Sequence, residues 1–145
     1  MRVSIPGEPV AQGRPRFVNT AAGPRAIDPK KSRSWKALAQ VFMQQAAKQQ
    51  GWAIHEGPLG LSVKAFWPCP TSDRRKVPKP MRYRPKRPDG DNILKAVQDA
   101  GQGVLWHDDS QIVLGVVSKF TAAQDAPPGV EIEVWEITTE PKESR

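Results

Sequence analysis

From Arg2 to Ile5 apolar and polar residues alternate, with Val3 and Ile5 on one side, which predicts a first strand. Pro6-Gly7 and Pro9 interrupt it. Over Ser34–Gln50 the period becomes helical. Trp35, Leu38, Ala39, Phe42 and Ala46 form one apolar stripe, and Gly51 supplies the stop. That stripe reads as core, part of which could face a partner in a dimer. Leu59–Trp67 alternates through Leu61, Val63, Ala65 and Trp67 as a strand would. Asn92–Ala100 reads as a short helix capped by Asp91, with Ile93, Leu94 and Val97 on one side and Gly101 and Gly103 at its end. After the apolar Val104-Leu105-Trp106, the β-branched run Gln111–Phe120 predicts a strand ending near Lys119. Pro127-Pro128-Gly129 marks a turn. Val130–Ile137 is the last strand, with Val130, Ile132 and Val134 on one face and Glu131 and Glu133 on the other; Trp135 breaks the alternation and suggests a bulge.

The order β, α, β, basic loop, α, β, β predicts the α+β class, one mixed sheet covered by helices. A chain of 145 residues suits a single domain over 1–145, with 140–145 as a frayed tail. The lone Cys69 excludes an intrachain disulfide and fits a reducing compartment. One Cys and two His make a structural zinc site a poor fit. No apolar run is long enough to span a membrane and no signal-peptide pattern opens the chain, so a cytoplasmic location is expected.

Charge changes the picture. A net charge of +7 favours a polyanionic partner, although RNA-binding proteins share that signature. Two segments carry most of it. Arg14, Arg16, Arg25, Lys30, Lys31, Arg33 and Lys36 face a single acid, Asp28, in a stretch whose glycines and prolines suggest a hairpin or loops. Residues 68–88 hold six prolines, which exclude a regular helix or a central strand. Within that span Arg74, Arg75, Lys76, Lys79, Arg82, Arg84, Lys86 and Arg87 follow one another with no acid between them. Such a loop repels itself and is expected to be mobile without a polyanion. Tyr83 within it could stack on an exposed base, or simply pack.

The sign then reverses. Between Arg87 and Gln111 lie five of the fifteen acidic residues: Asp89, Asp91, Asp99, Asp108 and Asp109. Asp89-x-Asp91 before a helix and Asp108-Asp109 after it are suitable oxygen ligands for Mg²⁺, which needs only one or two carboxylates plus water and phosphate. Both pairs fall at predicted element ends, where loops are expected to bring them together. A divalent ion there would activate water, neutralise a phosphodiester and stabilise its leaving oxygen. It would also turn carboxylates that repel DNA into part of the attraction. The plain alternatives are a helix cap (Asp91), a turn residue (Asp89) and a solvated loop (Asp108-Asp109). An EF-hand does not fit, since Ile93 and Leu94 occupy its fifth and sixth positions. Lys95 shares a helix face with Asp91 and Asp99, where it can steady a phosphorane, orient water or form an ion pair. His107 is a less suitable base.

The runs PDGDNILKAVQDA and GVLWHDDSQIV resemble the signature of the RusA-type Holliday junction resolvases, and GEPVAQGRPRF at Gly7–Phe17 resembles their N-terminal Arg-Pro-Arg segment. The likeness spans residues 7 to about 120. It implies a RusA-like fold and Mg²⁺-dependent nicking of four-way junctions by a homodimer, with Mn²⁺ as a substitute ion, in a prokaryotic or phage-infected cell. It implies Asp89, Asp91, Lys95 and Asp109 as catalytic, and Asp89, Asp91, Asp108 and Asp109 as metal ligands. DNA contacts are expected from Arg14, Arg16, Arg74, Arg75, Lys76, Lys79, Arg82, Arg84, Lys86, Arg87 and Lys119. Two positions depart from the pattern: Gly90, where a larger apolar residue is common, suggests a more flexible turn, and Pro88 stands where some members have a basic residue. A non-catalytic nucleic-acid-binding protein is the alternative from another class, and a metal nuclease with broader substrates is a third.

Overall fold

The computed structural model describes residues 1–13, 16–27 and 29–138, with the side chains of Arg16, Ala26 and Ile27 outside that description. The expected tail at 140–145 and Arg14 lie outside the described residues. The elements run β1 (Arg2–Pro6), β2 (Arg16–Thr20), β3 (Gly23–Ile27), α1 (Lys30–Gln50), β4 (Leu59–Trp67), β5 (Arg82–Tyr83), α2 (Gly90–Gly101), β6 (Ile112–Thr121) and β7 (Gly129–Glu136). Five strands form one sheet in the order β1-β7-β4-β6-β5, while β2 and β3 pair only with each other. β4 and β6 are parallel and the other pairs antiparallel, so the sheet is mixed. The α+β expectation holds.

Alternation decides which face is covered. Val3 and Ile5, Leu61 and Val63, and Val130, Ile132 and Val134 all point to the helices and are buried. From α1 the core receives Trp35, Ala39, Met43 and Ala46; from α2, Ile93, Ala96, Val97 and Ala100. Full burial of an apolar side chain contributes about 1.5–3 kcal/mol, so this single layer accounts for most of the hydrophobic stabilisation. The predicted stripe on α1 was partly misplaced: Leu38 is exposed, Phe42 only half-buried, and Met43 takes the inner position. That helix also starts four residues before Ser34. Pro29 precedes it, its carbonyl accepts from Arg33 N at 3.1 Å, and the charged first turn projects into solvent apart from buried Ser32. Gly51 ends it in the left-handed region at φ 67°.

Trp135 makes no bulge in β7. It continues the outward face opposite Gly60, where any Cβ would collide with its indole. The register irregularity lies instead between Leu59 and Gly60, on the β6 side of β4.

α2 is the crossover between the parallel strands β4 and β6, and such a connection must run back along the sheet. Its direction is visible in two close approaches: Gly90 packs on Val117, and Leu94 on Gly115. The start of α2 therefore lies by the C-terminal half of β6, and its end by the strand's beginning.

Candidate active site

α2 begins two residues earlier than expected, and its N-cap is Asp89, not Asp91. Asp89 has extended backbone angles, and its carbonyl accepts from Asn92 N at 3.1 Å and Ile93 N at 3.4 Å. Its carboxylate makes no capping hydrogen bond. Asp91 falls in the first turn. Both carboxylates are exposed, and neither forms an ion pair or hydrogen bond with a described residue. A helix N-terminus favours anions through its dipole, so two acidic groups and an approaching phosphate share one favourable end. Lys95 follows one turn later, exposed, with no ion pair to Asp91.

Gly90 between them is not a flexible turn. It is a packed helical position: an added Cβ would stand 2.9 Å from Val117 Cγ1. The absent side chain lets α2 settle on β6 at this end, which corrects the expectation of looseness.

The second acidic pair has a different setting. Asp108 caps a short 3-10 turn, Asp109–Gln111. Its Oδ1 accepts from Ser110 N at 3.0 Å, while Gln111 Oε1 accepts from Asp108 N at 2.9 Å and His107 N at 2.8 Å. Gln111 Nε2 donates to the carbonyls of His55 and Gly57, fixing the turn to the loop before β4. The Asp-x-x-Gln spacing at Asp108–Gln111 is a capping-box signal readable in the sequence. Asp109 is half-buried and accepts from Trp106 Nε1 at 3.0 Å. Trp106 is itself fully buried against Gly101, where a Cβ would strike its ring. Gly101 is thus both the last helical residue and a cradle for Trp106; Gln102 is the C-cap, and Gly103 follows at φ 81°. His107 lies 3.7 Å from Glu56, an exposed pair.

The expectation that loops gather both pairs fails within one chain. α2 rises about 1.5 Å per residue, which puts roughly 15 Å along its axis between Asp91 and Gly101, and Asp109 belongs to the Gly101 end through Trp106. Among the described residues no three Asp, Glu, His or Cys side chains gather closely enough to hold a metal ion. The Asp89–Asp91 pair still fits the minimal donor set of Mg²⁺, one or two hard carboxylates with the remaining positions open.

The basic loop leads into this pair. Lys119 Nζ donates to the carbonyls of Lys86 at 2.7 Å and Pro88 at 2.8 Å, so it holds the approach to Asp89 in place. Arg84 lies over the Trp67 ring at 4.7 Å and donates to the Arg87 carbonyl. Arg82 donates to Asp73 at 2.6 Å and to Cys69 Sγ at 3.9 Å, and Arg74 pairs with Asp125 at 2.7 Å. Asp73's carboxyl titrates below its usual range, first because of the Arg82 hydrogen bond. The sulfur of Cys69, ahead of Asp73, raises Arg82 further above its ordinary value. Gln124, which carried no signal in the sequence, accepts from Arg75 N and Lys79 N and donates to the Arg75 carbonyl. The loop expected to be mobile is thus tied at several points by Asp73 just before the run, by Asp125 between β6 and β7 and by one glutamine. Arg75, Lys76, Lys86 and Arg87 are exposed; Lys79 is half-buried. Tyr83 stacks on Phe120, and Phe120 on Phe66, with centroids 5.0 and 5.1 Å apart, yet Tyr83 stays 78% exposed.

Comparison with known proteins decides the class. The chain matches the family described as endodeoxyribonuclease RusA over residues 6–135. It belongs to the RusA family. The chain is therefore an endodeoxyribonuclease of the Holliday-junction-resolving, divalent-metal-dependent kind, and the reading as a non-catalytic binder is set aside. The chain is also similar to the uncharacterized protein YqaN of Bacillus subtilis strain 168, 33% identical over 144 residues, covering 95% of this chain and 97% of that one. No described helix is long and apolar enough to cross a membrane.

Proposed function

We propose that this RusA-family chain resolves four-way DNA junctions in the cytoplasm by Mg²⁺-dependent paired nicks, acting as a homodimer. The observation that carries the reading is the pair Asp89 and Asp91, exposed and without an ion pair or hydrogen bond to a described residue at the α2 N-terminus, where the pinned basic loop ends. These two carboxylates would hold the ion together with Asp108 and Asp109. When bound, Mg²⁺ supplies Lewis-acid activation of the phosphodiester and a hydroxide nucleophile at neutral pH. The chain's own groups do the rest. The amide end of α2 favours the phosphate's negative charge. Lys95 adds a positive charge one turn away that can follow charge growing on the phosphoryl oxygens. Lys76, Lys86 and Arg87 hold the backbone of the arm.

The separation of the two acidic pairs supports a second copy as part of the site. On the side away from β4, β5 pairs with Phe120 and Thr121 of β6, and Arg84 N donates to the Lys119 carbonyl at 3.0 Å; among the described residues no further pairing is made there. The rest of that side is an open strand edge with Val113 62% exposed and Leu114 and Val116 each 49% exposed. An exposed apolar edge invites another strand. A two-fold contact there would lay the start of one β6 beside the C-terminal half of the other, bringing Asp108 and Asp109 toward the partner's Asp89 and Asp91.

The test is cleavage of a synthetic four-way junction beside a linear duplex of the same sequence, with and without Mg²⁺. Symmetric nicks in the junction alone, dependent on the ion, are expected. Equal cutting of both substrates would assign the chain a broader nuclease activity.

A further inference from the structure

Among the described residues, the β2–β3 hairpin joins neither the five-stranded sheet nor the core. Its strands pair only with each other, and an isolated two-stranded hairpin is marginal in water. It nevertheless presents Phe17 at 80% exposure, with exposed Val18 beside it and exposed Arg25 across from Val18. An aromatic ring left in water on a small projecting element forfeits its burial unless something covers it.

Where the hairpin is anchored says what covers it. Gln12 N donates to the Asn92 carbonyl at 3.1 Å, one residue beyond Asp91. Gly13 N donates to Ser32 Oγ at 3.0 Å, and Ser32 Oγ donates to the Ala11 carbonyl at 3.3 Å. Ser32 is buried, and a Cβ on Gly13 would stand 2.6 Å from Pro29, so the strut is closely fitted. The segment just before the hairpin is thus held at the start of α2, where the candidate carboxylates stand. Phe17 comes four positions after Gly13, a reach of at most roughly 14 Å. That is about four nucleotides at 3.4 Å per phosphate. The surroundings are cationic: Arg25, Lys30, Lys31 and Arg33 are exposed on the hairpin and the first turn of α1. Charge complementarity selects DNA as the occupant.

We propose that Phe17 recognises the branch point, its ring inserting against base pairs at the junction centre while Asp89 and Asp91 address a phosphodiester a few nucleotides away. The inference rests on the reading of the chain as a junction resolvase. A benzyl side chain has no hydrogen-bonding group and reads DNA only by stacking or wedging. In a continuous duplex that wedge must first unstack a step, at a cost of a few kcal/mol. In the open form of a four-way branch the terminal pairs of each arm lack a stacking neighbour. The same ring is therefore favourable at a junction and unfavourable in linear DNA, which makes Phe17 a specificity-determining residue.

The experiment uses a four-way junction with 2-aminopurine at the branch point, titrated without divalent metal with the wild-type chain, Phe17→Ala and Phe17→Trp, beside a linear duplex. The wild-type chain should raise the fluorescence. Phe17→Ala should lose that rise and about 5- to 150-fold of junction affinity, with duplex affinity unchanged; Phe17→Trp should keep both. A Phe17→Ala chain that opens and cuts the junction like the wild type overturns the wedge and leaves the resolvase reading standing. A Phe17→Ala chain that sediments as monomer where the wild type is dimeric assigns the ring to a contact between copies and overturns it too. If the wild-type chain neither binds nor cuts a junction, the resolvase reading fails and the wedge fails with it.

Discussion

Asp91 and Lys95 stand one turn apart on α2, both exposed, with no ion pair between them. An exposed pair of this kind contributes only a few tenths of a kcal/mol, so their value to the chain lies in what they present to a ligand. Asp91→Asn should therefore leave the melting temperature almost unchanged, abolish cleavage, and leave junction binding intact or tighter, since it removes a negative charge near phosphate. Anisotropy binding beside a cleavage assay checks this; binding lost in parallel with cleavage would give Asp91 a folding role. Gly90 is the opposite case, a residue whose effect is steric. Gly90→Ala places a methyl 2.9 Å from Val117 Cγ1, on a β-branched side chain with little freedom to move. Overpacking of this kind costs about 1–3 kcal/mol. Thermal unfolding should register that loss, and the accompanying tilt of the α2 start should lower cleavage. An unchanged melting temperature would show that the helix and β6 do not meet there as tightly as the close approach requires.

At the scale of elements, the loop between β4 and α2 is held by Asp73, Asp125, Gln124 and Lys119, and the cations it leaves outward are the ones available to phosphate. Replacing Lys76, Lys86 and Arg87 together by alanine should weaken binding to every DNA. It should also flatten the salt dependence by up to about 0.9 log unit per lost phosphate contact. Replacing Arg74 and Arg82 should instead loosen the loop, detected as faster proteolysis between β4 and α2. An unaltered salt slope in the triple variant would remove those three residues from the interface. What was legible beforehand follows the same division. Strands with one buried face announced themselves by alternation, and β4 was placed to the residue because all of Leu59–Trp67 alternates. The carboxylates stood out because their sign opposes their surroundings. Helix starts were less legible, since the first turns of α1 and α2 are polar and leave no apolar period to read. The cations engaged inside the protein were not separable from the free ones, because Arg82 and Lys76 look alike until their neighbours in space are known. Of the glycines chosen for close approach, Gly90 read in sequence as a flexible turn and Gly101 as a stop.

For the whole molecule, the governing fact is that one crossover helix separates the two acidic pairs that the proposed metal site would join. A four-way junction has approximate two-fold symmetry, and its resolution needs nicks in two strands of like polarity, which suits a two-fold dimer with two equivalent sites. If each site takes Asp89 and Asp91 from one copy and Asp108 and Asp109 from the other, inactive chains should rescue one another. Homodimers of Asp91→Asn have both sites broken, as do homodimers of Asp109→Asn. Their heterodimer pairs the intact Asp91 of one chain with the intact Asp109 of the other, restoring one site and leaving the second doubly broken. Mixing the two chains, after denaturation and refolding together to exchange subunits, should therefore recover single nicks in a supercoiled cruciform with no linear product. Wild-type chains mixed with Asp91→Asn serve as the control for exchange, because their heterodimers also keep one site and should nick once. Recovery in the control without recovery in the crossed mixture would mean that each site draws all its carboxylates from one chain, and the shared site would be excluded. A charged substitution on the open strand edge, Val116→Lys, should abolish the crossed rescue and shift the protein toward monomer in sedimentation, while leaving the fold of each chain intact, because Val116 lies on the outer face of β6 and contributes nothing to the buried core.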